Sequence, residues 1–354
     1  TTRMRRQLCR FPSIRHMRST IRQITIPEIT SKGNHMPDDL KPPILLFGNT
    51  RSGTTIVQKV MSTHPDIVGW YEPNALWLYA DPGRLHDEFD EDDATDRVKR
   101  YIRKRFLNYQ QRHGDRIVLE KTPQNILRIP YVRAIFPEAK FLFIVRNPFS
   151  FISSVEYKWQ RPVTGQGILR RLKDTPLSQL HHWVRRYLIQ QINKRVLRRK
   201  YLSIWGPRYR GIQDDLKTHD LLTVIARQWA IPSMKAEKDM EAFENGQILR
   251  LKYEDFVDDP VSDLERICGH CGLEMTGDML KAAREMVKSD RKIKWQRFDP
   301  RDLARIMPEI TGEMQRHGYE IPPEIAQAIQ NLHRSEEIGS QPTLDKPMPE
   351  PSPS

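Results

Sequence analysis

Three cysteines in 354 residues are too few for a disulfide framework. Cys268 and Cys271 do form a CxxC, "CGHC", the spacing of a redox or zinc half-site. It falls inside a helical pattern, "DLERICGHCGLEM", with no second Cys/His pair nearby, so two half-buried thiols in a reducing compartment are expected instead. Long apolar runs are also missing. None approaches the roughly 20 residues of a membrane span, and no apolar stretch near the N-terminus has the length of a secretory signal. The expected setting is therefore cytoplasmic, with peripheral membrane contact through basic segments as the further option. Acid is what the first 22 residues lack: Arg3, Arg5, Arg6, Arg10, Arg15, Arg18 and Arg22 face no Asp or Glu. Such a stretch reads as a disordered tail, a transit peptide or a membrane-surface anchor.

What is present is charge and alternation. The 58 Lys and Arg outnumber the 45 Asp and Glu, a net charge of +13, so an anion matters to this chain. Apolar strands alternate with amphipathic helices from "PILLFG" through "DIVGWYEP", "RIVLEKTP" and "AKFLFIVRNP" to "GQILRLKYEDFV". This pattern predicts an α/β fold: a P-loop-like central parallel sheet flanked by helices on both faces, with a basic helical insertion. Residues 1–37 form a basic N-terminal segment outside the fold, 38–333 the α/β domain, and 334–354 a Pro/Ser-rich unfolded tail. Within the domain, 158–215 is a helical acceptor-side segment, with fourteen Lys and Arg between Lys158 and Arg210 against a single acid, Asp174.

The stretch "ILLFGNTRSGTTIVQKVMSTHP", residues 44–65, carries the most chemistry. A strand, a loop bounded by Gly48 and Gly53, and then a helix place free N–H groups and a positive dipole end on an anion. Asn49, Thr50, Arg51, Ser52, Gly53, Thr54 and Thr55 are the candidate contacts. A nucleoside triphosphatase would carry Lys and Ser/Thr directly after the second glycine. Here the cation, Arg51, lies inside the loop. The strand "KFLFIV" ends in Arg146, where such enzymes have a metal-binding Asp. With Ser154 on the next helix, Arg146 makes a second anion site. The site therefore supplies cations in place of a metal.

Two anion sites and a loop arginine describe 3′-phosphoadenosine 5′-phosphosulfate (PAPS), and here the chain resembles the PAPS-dependent sulfotransferase superfamily. "GNTRSGTT" is similar to its 5′-phosphosulfate loop, "RNPFSFISS" to its 3′-phosphate motif, and "LKYEDFVDDPVSDLERICGHCGL" to a downstream strand-and-helix segment. The resemblance is strongest to the branch with tyrosylprotein sulfotransferases and bacterial carbohydrate sulfotransferases, through Arg51 to Thr55, "HPD" from His64 to Asp66, and Glu72. It implies PAPS as co-substrate, with 3′,5′-adenosine bisphosphate as product and no metal. It also implies contacts from Tyr253, Ser289 and Lys294, and an adenine stacked on an aromatic such as Trp295.

Sulfuryl transfer needs a base for the acceptor proton and cations where charge grows on the leaving oxygen. Glu72, at a strand end beside Trp70 and Tyr71, is the candidate base, desolvated by those rings. Arg51 and Lys121 are the electrostatic partners. Glu72 could instead merely pair with Arg51, and Lys121 could be a surface lysine. Glu120 is a weaker base candidate, and His64 is expected to cap or pack. The expected acceptor is a hydroxyl, more of a carbohydrate than a peptide: an anionic polysaccharide, or a lipid-linked glycan. Two other readings stay open: an Mg²⁺-dependent P-loop nucleotide phosphotransferase, and a nucleic-acid-binding protein, which lacks an aromatic-interleaved motif.

Overall fold

The computed structural model describes residues 39–159, 205–244, 246–287 and 294–339. The N-terminal basic segment, most of the basic insertion, Cys9 and Ser289 lie outside them. Five strands pair in parallel in the order β2-β3-β1-β4-β5. They are β1 (Ile44–Phe47), β2 (Ile67–Tyr71), β3 (Ile117–Lys121), β4 (Lys140–Val145) and β5 (Ile248–Lys252). Each corresponds to one of the five apolar runs seen in the sequence.

Strand alternation divides the apolar residues between two cores, one on each face of the sheet. Leu45, Phe47, Phe141, Phe143 and Val145 join Trp70, Val118 and the larger core. Ile44, Leu46, Leu142, Ile144, Leu119 and Leu251 join the smaller one. Helix α1 (Thr54–Met61) turns Val57, Val60 and Met61 to the smaller core, as their helical spacing predicts. The larger core is built on α2 (Asp96–Arg112), α3 (Ile129–Ile135), α4 (Pro148–Trp159) and α5 (Leu221–Met240). The sheet is covered on both sides, which explains why its strands read as near-continuous apolar runs.

Two boundaries differ from the sequence reading. "NILRIPYVRAIF" divides into a 3₁₀ turn, Pro123–Leu127, and α3, with Pro130 in the first turn of α3. "LKYEDFV" is not strand throughout: β5 stops at Lys252 and α6 (Tyr253–Asp258) begins. That switch swings Tyr253 and Glu254 across the sheet's carboxyl edge.

The strand order places the site. Chain leaving β1 travels toward β2 and chain leaving β4 toward β5, in opposite directions along the sheet. Between the carboxyl ends of these neighbours a crevice opens, the usual ligand position in such sheets. Among the described residues no helix is long and apolar enough to cross a membrane.

The CxxC lies in α7 (Pro260–Cys271) with both thiols free, packed against the smaller core. Burial pushes both thiols up, Cys271 to about 12. At pH 8 its thiolate fraction is therefore about one in ten thousand, far below that of a reactive cysteine. In a Cys9→Ser background, a thiol reagent should label Cys268 and Cys271 only as fast as the protein unfolds. Rapid labelling of folded protein would contradict this packing.

Candidate active site

The loop after β1 is held open by its backbone. Gly48 lies against the carbonyl of Ile144, where a Cβ would come within 2.6 Å. Gly53, with φ +89, is the N-cap of α1. A side chain on it would meet the ring of Tyr253 at 2.0 Å. Glycine is therefore required twice, first by space and then by both space and a left-handed turn. Ile56 N donates to the Gly53 carbonyl at 2.9 Å, which leaves the Thr54 and Thr55 N–H groups, too early in α1 for an intrahelical partner, at the helix's positive end. Ser52 and Thr54 are buried within the loop, and the Ser52 and Thr50 hydroxyls have no hydrogen-bond partner among the described residues. Thr55 is partly exposed.

The Asn49 amide donates to the Trp229 carbonyl at 3.1 Å and to Ser233 Oγ at 3.3 Å. It ties the loop to α5, and its Oδ1 has no hydrogen-bond partner among the described residues.

The cations converge as follows. Arg51 adopts φ +66, and its Nε donates to Ser154 Oγ at 2.8 Å. Arg146, at the end of β4, donates from Nη1 to the Arg51 carbonyl at 2.8 Å. Its guanidinium lies over the Tyr253 ring, 4.5 Å from the centroid. Arg51 and Arg146, read as the cations of the two anion sites, are thus adjacent, and the Ser154 hydroxyl, expected to share the second anion with Arg146, accepts from Arg51. Two contacts that sequence reasoning missed steady this end of the sheet. Trp229 Nε1 donates to the Arg146 carbonyl at 2.8 Å, and Glu254 Oε1 accepts from Asn147 N at 3.1 Å.

Next along the crevice, Lys121 Nζ donates to Glu72 Oε1 at 2.7 Å. Tyr71 and Lys121 are register partners on β2 and β3, which brings the strand ends together. Lys121 is no surface residue: its side chain is 1% exposed, against 32% for Glu72. Glu72 has φ +51 and donates its backbone N–H to the Lys121 carbonyl at 3.0 Å. Only three non-glycine residues among those described have positive φ, and Arg51 and Glu72 are two of them. Backbone strain of this kind clusters at functional positions.

The expected aromatic wall around Glu72 is placed differently. Trp70 points to the other face of the sheet and stacks on Tyr109 at 4.3 Å. The Tyr71 ring lies against Lys121 Nζ, 4.1 Å from the centroid. The aromatic neighbour thus belongs to the cation. Glu72 pairs with Lys121, and among the described residues no ion pair joins it to the alternative partner Arg51.

Glu120, adjacent to Lys121, points into the larger core and is wholly buried. Trp77 Nε1, Thr122 Oγ1 and Asn125 Nδ2 donate to its carboxylate at 3.1, 2.5 and 3.1 Å. Burial pushes it up to about 7. His64 packs as expected: Nδ1 accepts from Asp66 N, and Nε2 faces the Glu274 carbonyl, each at 3.1 Å. Trp295 is buried against Phe149 in the core, 5.6 Å between ring centroids. Lys294 begins a 3₁₀ turn, Lys294–Arg297.

A family model described as the sulfotransferase family matches residues 42–205 and 193–277. The chain belongs to the sulfotransferase family. The nodulation protein NoeE of Sinorhizobium fredii is 26% identical over 149 residues, 37% of this chain and 36% of that protein. Protein-tyrosine sulfotransferase 1 of Homo sapiens is 32% identical over 124 residues, 32% of this chain and 34% of that protein. The matched stretch thus spans about a third of either relative's length. Among solved structures, the sulfotransferase domain of the Synechococcus PCC 7002 olefin synthase is 15% identical. It covers 82% of this chain and 100% of that domain, with a TM-score of 0.48.

Two outcomes follow for single substitutions in this sulfotransferase-family chain. Gly53→Ala strains the turn and strikes Tyr253, costing on the order of 2 kcal/mol in chemical denaturation. Combining it with Tyr253→Ala should recover only part of the loss, since the left-handed turn remains. Glu120 keeps its proton to about pH 7 when folded but releases it near 4.5 when unfolded. Its contribution to stability is complete below pH 4.5 and is lost as pH rises to about 7. Relative to Glu120→Gln, wild-type stability should fall across that window by on the order of 3 kcal/mol. Parallel curves for the two proteins would contradict the buried network.

Proposed function

We propose that this protein transfers the sulfuryl group of PAPS to an acceptor hydroxyl, most suitably of a carbohydrate or glycoconjugate, by in-line displacement with Glu72 as base. One observation carries the reading: a carboxylate and a buried ammonium in contact at 2.7 Å, set beside a glycine-bounded loop that contains an arginine. The acceptor oxygen forms a bond to sulfur while the bond from sulfur to the bridging phosphate oxygen breaks. Glu72 takes the acceptor proton. As it does, its pairing with Lys121 weakens, and the Lys121 charge becomes available to the leaving oxygen. Arg51 supplies a second positive charge from inside the loop. The first-turn amides of α1, with Ser52, Thr54 and Thr55, suit the 5′-phosphosulfate. Arg146 and Ser154 suit the 3′-phosphate, and Tyr253 supports both by packing on Gly53 and under Arg146.

Family membership favours this reading over a phosphotransferase or a nucleic-acid-binding protein. The net charge of +13 favours an anionic acceptor, a polysaccharide or a glycan presented at an anionic surface.

The test is calorimetric titration with 3′,5′-adenosine bisphosphate in EDTA, with ATP as control. Wild type should bind without metal, Arg146→Ala should lose that binding, and Glu72→Gln should keep it. Radiolabel transfer from PAPS to a glycan panel should fall about 10²–10⁴-fold in Glu72→Gln. Binding of ATP only once Mg²⁺ is restored, with none of the bisphosphate, would overturn the reading.

A further inference from the structure

Arg128, between the 3₁₀ turn and α3, is wholly buried. Among the described residues its Nε, Nη1 and Nη2 have no hydrogen-bond partner. A guanidinium carries five N–H donors, and burying it unpaired is costly. The acids close enough to act on it are Asp87 and Glu120, and both are already engaged. Arg208 donates to Asp87 Oδ1 from Nη2 at 2.5 Å, and to Oδ2 from Nε at 3.0 Å and from its backbone N at 2.9 Å. Glu120 is held by Trp77, Thr122 and Asn125. Two arginines thus share one committed aspartate and a carboxyl that burial keeps partly protonated near neutral pH. The cluster has positive charge to spare.

The surroundings narrow the ligand. The buried Tyr131 hydroxyl, also acting on Arg128, is without a partner among the described residues. So are the buried acceptor oxygens Gln124 Oε1 and Asn125 Oδ1 in the preceding turn. Unpartnered donors on Arg128 and unpartnered acceptors four and three residues before it in the chain make a combination suited to a hydroxylated acid. The Phe89 ring, 5.6 Å from Arg128 Cζ, provides an apolar wall.

We infer that Arg128 and Tyr131 form a binding site for the carboxylate of an acidic sugar, a second specificity element for the acceptor. The assignment of the ligand to the acceptor rests on the sulfotransferase reading above; the anion site itself does not. Two strips, residues 84–93 and 205–211, carry Asp87 and Arg208 to Arg128 and are joined by Asp87 N to the Arg208 carbonyl at 2.7 Å and Arg210 N to Glu88 Oε1 at 2.7 Å. Arg128 is wholly buried, so a ligand reaches it only when its surroundings open. The second strip also borders the transfer loop: a Cβ on Gly206 would lie 3.4 Å from Thr50 Oγ1. Through that contact, an acid group held at Arg128 would keep the acceptor near the transfer loop.

Thermal denaturation of the full chain tests this, with sodium methyl glucuronide, methyl glucoside and sodium acetate at matched ionic strength. The glucuronide should raise the wild-type midpoint and leave Arg128→Met unmoved, while the neutral glucoside does nothing to either. Arg128→Met should itself be at least as stable as wild type, since it removes an unpaired buried charge. Should it fail to fold, Arg128→Lys should show a weakened response, because an ammonium cannot reproduce the fork. Protection by acetate equal to that by glucuronide would keep the anion site and overturn its link to a sugar acceptor. No protection by either anion, or equal protection of Arg128→Met, would overturn the site. Glucuronide protection in a protein that does not bind 3′,5′-adenosine bisphosphate would keep the site and sink the sulfotransferase reading alone.

Discussion

The Tyr253 ring occupies the space that any side chain at residue 53 would need, and the crevice is organised around that contact. It draws the β1 loop against the end of β5. On the same ring lies the Arg146 guanidinium, which in turn donates to the Arg51 carbonyl. Three strand ends that are far apart in sequence are thereby fixed around one aromatic. The cations are set by packing and main-chain bonds before any ligand arrives. Such preorganisation is what electrostatic stabilisation of a transition state requires.

A second constraint is the division of labour between neighbours on β3. Glu120 and Lys121 are adjacent, yet strand alternation sends one into the larger core and the other to the crevice. The same residue spacing that buries a carboxyl behind the site presents an ammonium within it. Lys121 is then kept from water by the Tyr71 ring and matched by Glu72, whose strained backbone turns it back toward β3. A buried lysine without that carboxylate would be an unpaired charge, so the pair is structural as well as chemical.

Much of this was legible in the residues. The five strands, the glycine-bounded loop and the roles of Arg51, Arg146 and Lys121 as strand-end or loop cations all follow from local pattern. Strand order was not legible, because parallel neighbours are set by long crossovers. Neither was the Lys121–Glu72 contact, made across 49 positions. The start of α6 at Tyr253 was masked by an apolar run that reads equally well as strand. Nor were the bonds from Asn49 to α5 legible, since their partners lie some 180 residues away. Arg128 left a faint trace, as one charge among Ile126, Leu127 and Ile129, which amphipathic spacing alone absorbs into a helix.

The central claim is that a metal-free set of cations recognises a nucleotide with two anionic ends. A crystal structure with 3′,5′-adenosine bisphosphate, grown in EDTA, tests it most directly. The account predicts the 5′-phosphate on the first turn of α1 and the 3′-phosphate on Arg146 and Ser154, with the Arg51–Ser154 bond given up to the ligand. A nucleotide bound elsewhere, or a 3′-phosphate that Arg146 does not touch, would contradict it.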